Sequence, residues 1–191
     1  MFSRLRRSIL WVSRIKYCRG FGVQSPWAYR FVRYVINEHY PYYAYEDLRA
    51  RFPHLSLRNR KLCELYLRIA NHRQAAVAEL YGQFPASVGA YLHAGCRKMA
   101  IQQGCSDAAQ PFSLAVVAHG AETEREVARL IGRASADSLL IVEGIHKDAE
   151  AKRSWARMRQ NEHVRQTFDL YYCGLIFFDK KKSRQSYKIN F

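Results

Sequence analysis

The sequence predicts an α/β fold: a mostly parallel sheet of about six strands, with a helical region in front of it. Three observations carry this expectation. Ser113 to Ala118 (SLAVVA) and Ser138 to Val142 (SLLIV) are short apolar runs of the length and composition of fully buried strands. Segments with helical spacing alternate with such runs, and alternating strands and helices pair their strands in parallel. The chain has 191 residues, 49% of them hydrophobic, which suits one such core with a small appendage.

Phe2, Leu5, Ile9 and Val12 are spaced 3, 4 and 3 apart, as the apolar side of an N-terminal helix would be. Arg4, Arg6, Arg7, Arg14, Lys16 and Arg19 lie on or beside it. Burial of the apolar side against the rest of the chain is expected, with attachment to a membrane surface as the alternative. Ser25 and Pro26 start the next helix, Ser as N-cap and Pro at the first helical position. Ala28, Phe31, Val32 and Val35 follow at helical spacing. Tyr40 to Tyr45 reads as a loop and Phe52 to Asn59 as a second connector. Leu62, Leu65, Tyr66 and Ile69 mark another amphipathic helix.

The pattern changes near residue 74, so residues 1–73 are expected as a helical region and 74–191 as the sheet domain. Ala75 to Leu80 is a candidate strand, and Pro85 opens a helix carrying Val88, Tyr91 and Leu92. Lys98 to Gln102 is a candidate short strand. Thr123 and Glu126 have the spacing of a capping box ahead of Val127, Leu130, Ile131 and Ala134. Ala151, Trp155 and Met158 share a helical face. Thr167 to Tyr172 and Leu175 to Phe178 read as a strand pair, and alternating Tyr187, Ile189 and Phe191 as an added edge strand. In such sheets a ligand sits at the carboxyl ends of the strands.

No apolar run is long enough to cross a membrane. Cys18, Cys63, Cys96, Cys105 and Cys173 are odd in number and show no CxxC spacing. With no secretory signal read at the N-terminus, they are expected to be reduced thiols of a cytoplasmic protein. The formal net charge of +15 draws the chain to polyanions, so a nucleic acid or an anionic membrane surface is a candidate partner. The cations are spread along the chain and concentrate only in Arg4 to Arg19 and Lys180 to Lys188.

Two segments are more specific. GFGVQSPWAYRFVRYVI with YYAYEDL stands near the start, and SLLIVEGIHKDAEAKRSWARM with TFDLYYCGLIFFDKKK and YKINF near the end. Both resemble a bacterial family of class I S-adenosylmethionine (SAM)-dependent methyltransferases, which has a GxHSPF-like opening, a VDDIHW-like motif and a DLFxxGLxFF-like strand pair. The resemblance implies a Rossmann-like domain with SAM as cofactor. Within it, AVAELYGQFPASVGAYL is similar to the first strand and its glycine loop, whose two glycines fall on Tyr81 and Pro85. KMAIQQGC resembles the second strand, with Gln103 where an acidic residue would hold the cofactor ribose. SLAVVAHG resembles the fourth strand, whose terminal Asp falls on Ala118. Between Cys105 and Phe112 there is no room for the third strand and its helix. The implied order is second, first, fourth and fifth strands, then the final pair with its last member antiparallel.

On this resemblance the vestigial cofactor-binding positions are Glu79, Tyr81, Gly82 and Gln103. Tyr81 puts a ring where a glycine has a hydrogen, and Pro85 removes a backbone donor. Gly82, one place later, restores a turn. The plainer reading, an ordinary strand-to-helix turn, is preferred. Glu143, His146 and Asp148 follow the fifth strand, where the family motif begins with two Asp and this chain has Glu143 and Gly144. Candidate catalytic residues are Glu143, His146 and His119, the histidines as bases near neutral pH; the plainer reading is a polar loop at the sheet rim. His93, Cys96 and Cys105 suggest zinc only loosely, and no metal is expected. Asp169 and Gly174 read as structural residues of a turn between strands. The function that follows is a methyltransferase-like protein degenerate in cofactor binding, acting as a binding or scaffold protein. The alternatives are an active methyltransferase with an atypical pocket and a basic module for nucleic acid or anionic membrane.

Overall fold

The Ser25 hydroxyl accepts a hydrogen bond from the Ala28 amide, and Pro26 takes the first position of helix α1 (Pro26–Phe31). The computed structural model describes residues 12–20, 22–38, 40–104 and 110–191. Helix α1 continues into a wider turn over Val32–Ile36, and Ala28, Phe31, Val32 and Val35 are all buried. The expected Tyr40 to Tyr45 loop gives way at Ala44 to α2 (Ala44–Arg51), which buries Tyr45 and Leu48. The long helix α3 (Leu57–Arg73) starts inside the expected second connector because Ser56 caps it, accepting from the Asn59 amide. Its inward residues Leu62, Leu65, Tyr66 and Ile69 are buried.

Of the expected N-terminal helix, Phe2, Arg4, Leu5, Arg6, Arg7 and Ile9 lie outside the described residues. The described end of that segment reverses the expected sides. Val12 is 60% exposed, whereas Arg14 is 9% exposed. The reason is a partner: the Arg14 guanidinium donates to the Asp169 carboxylate at 3.1 Å and to the backbone oxygens of Asp169 and Ile189. Ile15–Gly20 forms a 3₁₀ turn.

The strands are β1 (Val77–Tyr81), β2 (Ala100–Gln103), β3 (Leu114–Val117), β4 (Leu139–Glu143), β5 (Gln166–Asp169), β6 (Cys173–Phe177) and β7 (Gln185–Lys188). They form one sheet in the order β2-β1-β3-β4-β6-β5-β7. β6 runs antiparallel to both its neighbours, and the other pairings are parallel. The order is the one the resemblance implies, with no strand outside β2 among the described residues. The count is seven because the tail adds an edge strand, β7, but earlier than expected: of Tyr187, Ile189 and Phe191 it contains Tyr187, and the other two follow its end.

Alternation along the strands divides the core. Ala78, Leu80, Leu114, Val116, Leu139 and Ile141 pack with α1, α3 and α4 (Ala86–Gly95). Tyr81, Ala115, Val117, Leu140, Val142 and Ile176 pack with α5 (Thr123–Arg133) and α6 (Ala149–Gln160). The middle of the sheet is therefore covered on both faces, which is why β3 and β4 read as unbroken apolar runs.

Four residues depart from their expected local roles. Pro85 is the N-cap of α4, one residue before the helix, not its first residue. Thr123 and Glu126 do not form a capping box. Thr123 is already the first helical residue, and its hydroxyl accepts from the Gly120 amide and lies against the Ala118 carbonyl. Glu126 instead pairs with Arg129. Gly174 lies within β6 rather than in the turn, and a Cβ there would stand 2.6 Å from Cζ3 of Trp155. Trp155 rests on the strand through that missing side chain.

Candidate functional site

Alternate residues of a strand share a face, so Glu79 and Tyr81 both project from β1 toward α5. Arg133, the last residue of α5, meets them there. Its Nη1 and Nη2 lie 3.1 Å from the two Glu79 carboxylate oxygens, and Nη1 lies 3.2 Å from the Tyr81 hydroxyl. The Tyr81 hydroxyl donates to Glu79, and the Arg129 guanidinium sits 5.1 Å over the Tyr81 ring. Burial, reinforced by the Glu79 carboxylate, pushes the Tyr81 phenol up to about 12. The ring belongs to the core cluster under α5.

The turn after β1 is made by Gly82, with φ of 99° and room for no side chain: a Cβ would meet the Ala118 Cβ at 2.9 Å. The Ala118 amide donates to the Tyr81 carbonyl, so β3 leaves the sheet against this turn. β2 ends on Gln103, which is exposed, and Gly104 follows with φ of 70°. The carboxyl ends of β1, β2 and β3 thus present a glycine turn, an amide and a methyl group. Among the described residues the carboxylate of these three strands is Glu79, and it is bound by Arg133.

The ends of β4 and β5 are richer. Glu143 closes β4 and accepts a hydrogen bond from the hydroxyl of Tyr66, a fully buried residue of α3. Burial pushes the Glu143 carboxyl up, only partly offset by Tyr66 and Arg58. Burial also raises the nearby Cys63 thiol to about 11 and the Cys173 thiol well above its ordinary value. His146 Nε2 lies 2.7 Å from Asp169 Oδ2, and its ring stacks on Tyr171 at 5.1 Å. Burial raises the Asp169 carboxyl, but His146 and Arg14 outweigh it and hold the group below the usual range. Asp169 is thus the hub of a buried ionic cluster as well as part of the strand turn.

His119 follows β3. Its Nε2 lies 3.4 Å from Asp148, which also caps α6 by accepting from the Ala151 amide. Gly144, with φ of 69°, lets β4 turn beneath the His119 ring. The candidates Glu143, His146 and His119 therefore hold three different partners and do not form one hydrogen-bonded group. His119 and Glu143 do line a pocket of about 300 Å³ between the N-terminal ends of α5 and α6, with Thr123, Glu124, Trp155 and Met158; His146 is not part of it. His93 and Cys96 of the zinc pattern do not converge. His93 is exposed, whereas Cys96 is buried with its thiol toward Gln74 and the Ala75 carbonyl, and Cys105 lies outside the described residues. Among the described residues no three His, Cys, Asp or Glu side chains gather as metal ligands.

Sequence reasoning missed Tyr66, Arg133 and Arg14. Tyr66 reads as one more apolar position of α3. The two arginines carry no local sign of the carboxylates they meet 54 and 155 residues away.

No protein-family model matches the sequence, and no curated protein matches it. Solved structures do. Cofactor-bound Rv0187 from MTB superposes with a TM-score of 0.50 at 13% identity, over 71% of this chain and 88% of that one. A putative O-methyltransferase from Klebsiella pneumoniae gives 0.48 at 8%, over 73% and 91%. The O-methyltransferase TomG from Streptomyces achromogenes, solved with SAM, gives 0.45 at 12%, also over 73% and 91%. At 13% identity, the likeness to Rv0187 is one of fold.

Proposed function

We propose that this chain, which has a class I SAM-dependent methyltransferase-like fold, acts as a binding protein and holds SAM weakly or not at all. One observation carries the reading: among the described residues the carboxyl ends of β1, β2 and β3 offer no unpaired carboxylate. Gln103 stands where the resemblance implies the ribose-binding acid. Ala118 ends β3, and Glu79 is consumed by Arg133 and Tyr81. A hydrogen bond to a charged group is worth about 1.5–3 kcal/mol, so losing that charge weakens binding roughly tenfold or more. Tyr81 adds no obstruction, since its ring lies in the core under α5, and Gly82 supplies the turn. The residues present thus fit the shape of a SAM loop but not its charge. Isothermal titration with SAM and with S-adenosylhomocysteine tests this. We expect no saturable binding in the micromolar range, and micromolar affinity for either ligand overturns the reading.

The second reading is an active methyltransferase with an atypical pocket. The pocket lined by His119 and Glu143 at the ends of β3 and β4 favours it. Transfer of a labelled methyl group from SAM to any acceptor in a cell extract, abolished by His119→Ala, would establish it.

A further inference from the structure

Most tyrosines of this chain are buried or engaged. Four are not. Tyr29, Tyr34, Tyr40 and Tyr43 are 43%, 66%, 79% and 103% exposed, and their rings meet no other ring and no cation among the described residues. Two of them share the outer side of α1 and its extension with Arg30 and Arg33, all four exposed. The spacing 29, 33 and 30, 34 sets each ring one turn from an arginine. A second group of cations adjoins this face. Lys182 packs over the Trp27 ring of α1 at 3.6 Å, which holds the Lys180–Arg184 turn beside the helix. Lys180, Lys181 and Arg184 in that turn are exposed.

We infer that the outer face of α1, together with the Lys180–Arg184 turn, binds single-stranded nucleic acid. The inference rests on reading the chain as a binding protein and supplies the chemistry of its partner. Exposed ring faces stack bases without regard to sequence, and flanking guanidinium and ammonium groups hold phosphates. Charge complementarity supports a polyanion, since the whole chain carries +15. The residue types favour nucleic acid over an anionic membrane. The exposed side of α1 has tyrosines and arginines but no Leu, Ile or Phe to enter an acyl layer.

Fluorescence anisotropy of the full chain with a labelled oligouridine, against a duplex of equal length and anionic vesicles, tests the inference. Binding to the single strand should exceed binding to the other two. Tyr29→Ala and Tyr34→Ala should each weaken it roughly five- to 150-fold, the effect of one lost base stack. Tyr29→Phe and Tyr34→Phe should retain it, since the ring remains. Arg30→Ala with Arg33→Ala should lower the slope of log K against log salt by about 1.4, two phosphate contacts at ~0.7 each. Alanine variants that bind as well as the parent, or vesicles that bind better than the strand, overturn the inference. Circular dichroism confirms that each variant folds. SAM titration of the same samples is a separate readout, so failure here does not decide the cofactor question.

Discussion

Replacing Arg133 by Met removes one half of a deeply buried ion pair under α5. The Arg133 and Glu79 side chains are 7% and 9% exposed. Without the guanidinium, Glu79 keeps, among the described residues, the Tyr81 hydroxyl as its donor on this face, and its charge stays in the core cluster under α5. Breaking a buried pair from one side costs about 3–5 kcal/mol, because an uncompensated charge remains. For a chain of this size each kcal/mol shifts Tm by about 2–4 °C, giving a fall of roughly 6–20 °C. The arginine also donates to the Gln110 carbonyl from Nε and Nη2, so the variant additionally loosens the connection entering β3. Urea and thermal unfolding of Arg133→Met, Glu79→Gln and the double variant form the cycle. Glu79→Gln leaves an amide oxygen for Tyr81 and no charge, so the double variant should recover most of the loss. A cost below about 1 kcal/mol for Arg133→Met, or a double variant as unstable as the single one, would refute the argument.

Gly174→Ala should destabilise by about 1–3 kcal/mol through overpacking against Trp155. Trp155→Phe in the same chain should relieve part of that cost, and equal stability of Gly174→Ala and parent by urea midpoint would contradict the packing. Glu143 titrates above its ordinary value of 4.5 in the folded protein. The folded state therefore holds that proton longer than the unfolded chain, and the stabilisation is full below 4.5 and lost as pH rises through the raised value. Glu143→Gln lacks this loss, so its urea midpoint should gain on the parent as pH rises from about 4.5; a constant gap would contradict the burial of the carboxyl. Gln103→Asp should improve SAM affinity about tenfold or more by restoring a charged acceptor at the end of β2. Calorimetry showing no change would mean that β2 does not reach the cofactor ribose.

Strands β3 and β4 were legible because a strand covered on both faces leaves an unbroken apolar run, as in SLAVVA and SLLIV. Helix α3 was legible from its long inward stripe. Helix α2 was not: only Tyr45 and Leu48 of its eight residues are buried, too few to set a period. Gly174 looked like turn glycine because it stands between two apolar runs, and only the ring of Trp155, 19 positions earlier, shows why it is needed. The same limit applies to the site. Glu79, Tyr81 and Gly82 could be placed at the first strand end, but the direction of the Tyr81 ring depends on Arg129 and Arg133 of a later helix. Glu143 was legible as a strand-end acid. Its buried character depends on Tyr66, a residue of the helical region.

The position of β2 at the margin of the sheet explains how a chain can be this short and still keep the arrangement. An outermost strand supports one neighbour only, so a unit beyond it can be gained or lost without changing any pairing between the remaining strands. The same holds at the opposite margin, where β7 adds to β5 through a single ladder. Such a sheet behaves like a row with a fixed middle and negotiable ends. The middle, β1, β3 and β4, carries every strand end of the candidate site except Gln103 and Asp169. A strand and helix grafted between Gln103 and Leu114 would extend the row by one place, whereas the same graft between β3 and β4 would have to break it.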